Sequence, residues 1–156
     1  MSGWQHVEDE APELAARARE FFGRSRHQVL ATLRQDGSPR VSGIEVDFAD
    51  GELWIGCLWR SRKALDLLRD PRFALHGPTF HPVEGKESEW PGEAKITGRA
   101  IPVGPVTTDG ASEQADGEMF TADITEVVVT GLNAEASKLV IEFWTPERGL
   151  RKVERE

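Results

Sequence analysis

The sequence has a single cysteine, Cys57, so no disulfide can form within the chain. The fold must then rest on a hydrophobic core, and a reducing cytoplasm is the expected location. No apolar run approaches the roughly 20 residues that a membrane-spanning helix needs, and no membrane association is expected. The opening Met1-Ser2-Gly3-Trp4-Gln5-His6 has no basic stretch leading into an apolar core, so no signal peptide is expected. Neither Gly-x-Gly-x-x-Gly nor a Gly-Lys-Ser/Thr phosphate loop occurs, which argues against a dinucleotide fold or an NTPase. Positive charge is also short: 19 Lys and Arg stand against 27 Asp and Glu, for a net charge of −8. Nucleic-acid binding depends on neutralising phosphates, so no nucleic-acid partner is expected.

What is present fits one globular domain over residues 1–156. The chain is 38% hydrophobic and 29% charged, and its length is enough to bury a core unaided. Leu14, Ala15, Ala18, Phe21 and Phe22 recur at helical spacing behind Pro12, predicting an amphipathic helix over 12–22 that Gly23 ends. From about residue 27 to 154 the pattern is mainly β. Val29–Leu33, Arg40–Phe48 and Leu53–Trp59 read as a three-stranded meander, joined by turns at Gln35-Asp36-Gly37-Ser38-Pro39 and Ala49-Asp50-Gly51. Along Arg40–Phe48, Val41, Gly43, Glu45 and Asp47 fall on one side and Ser42, Ile44, Val46 and Phe48 on the other. Ser61–Arg69 reads as a short helix stopped by Asp70-Pro71. Further strands are predicted at Phe73–His76, Glu93–Val103, Thr125–Thr130, Lys138–Trp144 and Leu150–Val153. Residues 77–92 and 104–117 read as long loops, and Asp109, Glu113, Asp116 and Glu118, in and just after the second, form an acidic cluster. Strands in this number, with a few short helices, predict a closed or nearly closed antiparallel barrel.

The residues with the most chemical content are Ser61, Arg62 and Lys63. Ser61 is a good helix N-cap. Two cations in a first helical turn oppose the macrodipole, at about 0.3–1 kcal/mol each. Their presence makes sense if an anion sits at this helix end, held by free N–H groups, the Ser61 hydroxyl and both cations. A ligand phosphate fits; side chains that simply point into solvent are the alternative. Cys57 has no visible base and reads as a buried strand cysteine. His76 and His81, with Glu84 or Glu87, match no strong metal pattern, so no metal site is predicted.

Taken in order, three segments carry a resemblance. Ala31-Thr32-Leu33-Arg34-Gln35-Asp36-Gly37-Ser38-Pro39-Arg40 resembles the first hairpin of the pyridoxamine 5′-phosphate oxidase-like, FMN-binding split-barrel superfamily. Ser61-Arg62-Lys63-Ala64 resembles its phosphate-gripping motif, closed by Asp70-Pro71-Arg72. Glu142-Phe143-Trp144, followed by Arg148 and Arg151, is similar to its terminal strand. The resemblance implies a mainly β, six- to eight-stranded antiparallel split barrel, forming a homodimer with two flavin sites at the subunit interface. Arg40, with Val41 and Ser42 beside it on the second strand, would contact FMN. Arg62 and Lys63 would hold the phosphate over Ser61, the backbone of Gly56 and Cys57 would run close to the flavin, and Trp144 would line the site. For Trp144 a core position is the other reading; for Arg40, an exposed strand position without a partner.

Two departures narrow the expected function. The oxidases carry a lysine five residues beyond the Arg40 position that helps bind the substrate phosphate, and here that residue is Glu45. Their terminal Arg-x-His is also missing, since Trp144 is followed by Thr145-Pro146-Glu147-Arg148-Gly149-Leu150-Arg151. The ending looks more like the flavin/deazaflavin oxidoreductase branch, whose members use FMN or coenzyme F420. The expectation is thus an oxidoreductase transferring hydride to or from a small organic substrate other than vitamin B6, with no catalytic protein nucleophile. The alternative is a non-catalytic carrier or sensor on the same barrel, holding a flavin, a deazaflavin or haem.

Overall fold

The structure is a computed structural model that describes residues 1–107 and 115–156. Asp109 and Glu113 of the acidic segment lie outside the described residues. Eight antiparallel strands form one sheet in the order β3-β2-β1-β4-β5-β6-β7-β8, and β3 pairs with β6 as well. That extra pairing closes six strands into a barrel and leaves β7 and β8 as an extension from β6.

The meander is where the alternation placed it. β1 (Gln28–Leu33) buries Leu30 and Thr32, β2 (Pro39–Ala49) buries Ile44 and Phe48, and β3 (Glu52–Leu58) buries Leu53, Ile55 and Cys57. Ala49 pairs with Glu52, so Asp50-Gly51 is a two-residue hairpin loop; both residues have positive φ (54° and 74°), as a primed turn requires. Between β1 and β2, Asp36 Oδ1 accepts from the Ser38 amide at 2.9 Å and the Ser38 hydroxyl at 2.6 Å. α3 (Arg62–Arg69) and β4 (Arg72–His76) follow, then a loop whose only described helical turn is a 3₁₀ turn at Glu87–Glu89.

The sheet runs further than the sequence pattern suggested. β5 (Glu93–Val106) has 14 residues, and β6 (Gly117–Leu132) has 16 where only Thr125–Thr130 was expected. The first half of β6 contains Gly117, Glu118, Ala122 and Asp123, which are poor strand formers alone. It is a strand because it pairs with β5 on one edge and β3 on the other, burying Phe120, Ala122 and Ile124. A bulge follows Thr97, and Gly98 is required there: a Cβ would lie 2.4 Å from the Asp123 carbonyl oxygen. β7 (Leu139–Thr145) and β8 (Gly149–Arg155) complete the sheet.

Two helices precede the barrel. α2 (Pro12–Gly23) buries Leu14, Ala15, Ala18, Phe21 and Phe22, the face its spacing predicts, and extends one residue through Gly23. α1 (Trp4–Glu10) was not foreseen, and seven residues are too few for a stable isolated helix. Tertiary contacts hold it. Trp4 and Val7 are fully buried, Trp4 packs on Phe48 at 4.6 Å, and Ser2 binds Asp123 and Ile124 through its backbone. Among the described residues no helix is long and apolar enough to cross a membrane.

Candidate functional site

A groove of about 590 Å³ opens on the outer face of the barrel, a size typical of small-molecule sites. Its floor is mostly backbone, because Gly43 on β2 and Gly56 on β3 carry no side chains. Leu58, Val106 and Met119 supply apolar walls, and Glu45, Asp116, His27 and Lys63 supply the polar ones. A second concavity, about 550 Å³, lies beside β7 and β8. Glu135, Lys138, Glu142, Lys152 and Glu154 line it, charges of both signs of which Glu142 already pairs with Arg17 and Lys138 with Glu156, so it is the weaker candidate.

The N-terminus of α3 borders the groove. Ser61 is extended (φ −59°, ψ 154°), and its hydroxyl oxygen accepts from the Ala64 amide at 3.4 Å, the N-cap its position predicts. No acidic residue occupies the first turn. Lys63 donates from Nζ to the Gly43 carbonyl at 2.9 Å, which lays its stem along the groove. Arg62 is exposed. Arg60, at a positive φ of 53°, stacks its guanidinium 5.6 Å from the Trp59 ring.

Arg40 points elsewhere than a bare strand residue would. Its Nε donates to Asp66 Oδ2 at 2.7 Å, and the Thr32 hydroxyl donates to the same oxygen at 2.7 Å. Arg69 donates to Asp66 Oδ1 at 3.1 Å and to the Leu33 carbonyl at 2.6 Å. Asp66 is only 3% exposed, so this cluster ties α3 to β1 and β2. Burial pushes its carboxyl pKa up, but hydrogen bonds from Arg40, Thr32 and Arg69 outweigh that and hold it below the usual value. Two arginines share one carboxylate, which leaves the base of α3 with a positive excess.

The other expected positions divide clearly. Gly56 and Cys57 line the groove with Lys63. Burial pushes the Cys57 thiol up to about 11, with Lys63 lowering it slightly and Glu118 raising it, so it stays protonated at neutral pH. Val41 is 70% exposed, and Ser42 is half-buried next to it on β2. Trp144 is not brought to the groove. It is fully buried beneath α1, with Nε1 donating to Glu10 at 2.8 Å and His6 edge-on at 5.4 Å. Of its two readings, the core position is the one the packing realises.

No model of a known protein family matches the chain, and no curated protein matches it. Solved structures do match. A pyridoxamine 5′-phosphate oxidase-related, FMN-binding protein from Nostoc punctiforme superposes with a TM-score of 0.62 at 12% identity, over 96% of this chain and 97% of that one. An F420 reductase gives 0.51 at 16% identity over 69% of this chain and 92% of its own. A heme-binding protein from Mycobacterium smegmatis gives 0.52 at 12% identity over 92% and 88%. The fold is the pyridoxamine 5′-phosphate oxidase-like split barrel.

Within this split barrel, three residues of the site region had escaped the sequence reading. His27 lies in the connection before β1, with no pattern around it. Asp66 had a faint signal, since an aspartate three residues before Arg69 can pair on a helix face, but its burial depends on Thr32 and Arg40 arriving from other strands. Met119 lies in the half of β6 that was not expected to be a strand.

Proposed function

We propose that the groove holds FMN or coenzyme F420, and that the protein is a flavin- or deazaflavin-dependent oxidoreductase acting on a small organic substrate. The observation that carries this reading is the groove itself: a glycine floor overlain only by the flexible end of Met119, with a cation and a helix N-terminus at its border. The residues fit such a group. A Cβ built at Gly43 would meet nothing within 4 Å and one at Gly56 only the flexible end of Met119, so a flat ring can approach the backbone. Of the first-turn amides of α3, that of Ala64 donates to the Ser61 hydroxyl, and those of Arg62 and Lys63, beside two cations, are the ones that would meet a phosphate.

When bound, either cofactor supplies the hydride chemistry through its ring. The protein's part is to hold and to exclude. Lys63 and the start of α3 anchor the phosphate, Leu58, Val106 and Met119 keep water from the ring face, and Cys57 stays a thiol that offers no competing nucleophile. Glu45 on the groove wall repels a second phosphate, which argues against pyridoxamine phosphate as substrate.

The same reading includes a homodimer. Val41 is 70% exposed and Leu58 75%, both on strands that border the groove, and Val29 is 46% exposed on β1. Leu58 lines the groove and Val29 pairs with its Gly43, and exposed apolar residues so placed fit coverage by a second copy of the chain.

The test is a titration of purified protein with FMN and F420, comparing the native chain with Arg62→Ala/Lys63→Ala. Loss of two charge-assisted contacts predicts affinity lower by at least about tenfold, with the fold intact by circular dichroism. Equal affinities for native and doubly substituted protein would refute the phosphate anchor.

A further inference from the structure

On β6, Met119 stands in a setting that no other long side chain of this groove shares. Its register partners are Gly56 on β3 and Gly104 on β5. A sheet side chain is ordinarily wedged by its cross-strand neighbours, and here both neighbours are glycine. The side chain has taken one of the two spaces. A Cβ built at Gly56 would lie 3.2 Å from Met119 Sδ and 3.8 Å from its methyl carbon, so the thioether lies across the Gly56 floor. On the other side, no described atom lies within 4 Å of a Cβ built at Gly104. Methionine has three flexible side-chain torsions and a polarisable sulfur, so moving between these spaces costs little and a contact with an aromatic edge or face is favourable.

We propose that Met119 is the residue that meets the cofactor ring, covering the Gly56 floor in the free protein and swinging toward Gly104 as the ring seats. This rests on reading the groove as a flavin or deazaflavin site. In the free protein the thioether lies over the Gly56 backbone. With the ring in place, it forms the β6 wall of the slot and fixes how far the ring enters.

The chain contains two methionines, Met1 and Met119, so methyl-labelled methionine reports directly on this position. Met1 is 95% exposed and serves as the internal reference. The signal of Met119 is assigned by its loss in Met119→Leu. Labelled protein is titrated with FMN and with F420 while flavin fluorescence or deazaflavin absorbance records binding in the same samples. The expected result is a ring-current shift of the Met119 methyl that saturates with the binding signal, the Met1 methyl staying put. Met119→Ala is expected to weaken binding about two- to tenfold, the worth of one sulfur–aromatic contact. Saturable binding of either cofactor with an unmoved Met119 methyl overturns this inference; the groove assignment is then decided by whether Arg62→Ala/Lys63→Ala lowers the affinity. Binding of neither cofactor overturns both.

Discussion

At the scale of single residues, Asp66 holds the most interactions in the region of the site. It accepts from Thr32, Arg40 and Arg69 while almost wholly buried, and its carboxylate is what keeps Arg40 and Arg69 together. Asp66→Asn keeps the shape but removes the charge. The expected loss is about 1.5–3 kcal/mol by urea denaturation at pH 7, the worth of hydrogen bonds to a charged group. The pH dependence has a definite sign. Because the folded-state pKa is depressed, the stabilisation from ionised Asp66 is complete above its unfolded value of about 3.9 and disappears as pH falls through the lower folded value. Native protein therefore loses this contribution below about pH 4, and Asp66→Asn does not. An asparagine variant with native stability at pH 7 would mean that the cluster contributes nothing net, as some buried ion pairs do.

At the scale of elements, periodicity was readable wherever an element's own residues decide its structure. α2, β1, β2 and β3 could be read because apolar residues alternate or recur in phase with the face that is buried. α3 could be read because Ser61 caps its start and Asp70-Pro71 stops it. α1 and the first half of β6 could not be read, because distant partners decide them. α1 depends on Phe48, Gly51 and Asp123, and early β6 depends on pairing with two other strands. The candidate site was legible to the same degree. Ser61, Lys63, Gly56 and Cys57 lie in elements with clear local signals, while Met119 and Asp66 take their roles from contacts across the sheet. The dependence of α1 on one aromatic anchor is testable. Trp4→Ala should lower stability by about 3–5 kcal/mol, as expected for emptying a fully buried tryptophan site. Asp9→Asn, exposed on the same helix, should stay within about 0.5 kcal/mol. Equal effects of the two changes would show that α1 is not held by Trp4.

At the scale of the whole molecule, an acidic chain sets several cations along one short helix. The net charge is −8, yet Arg60, Arg62 and Lys63 follow one another at the start of α3, and Arg40 and Arg69 share a single carboxylate beneath it. Glu45 and Asp116 on the groove wall disfavour an anion beside them, so the proposed phosphate position is at the Lys63 side of the groove. A barrel closed by β3 and β6 holds Gly43, Gly56 and α3 in fixed relation, which is the preorganisation a rigid tricyclic ligand can use. The function proposed for this groove requires that ring and phosphate be recognised together. The most direct measurement is calorimetric titration of the native protein with FMN, with F420 and with riboflavin, the last having the flavin ring without the phosphate. Saturable binding of FMN or F420 is expected, with riboflavin weaker than FMN by at least about tenfold. Riboflavin binding as tightly as FMN, or no binding of any of the three, would contradict it.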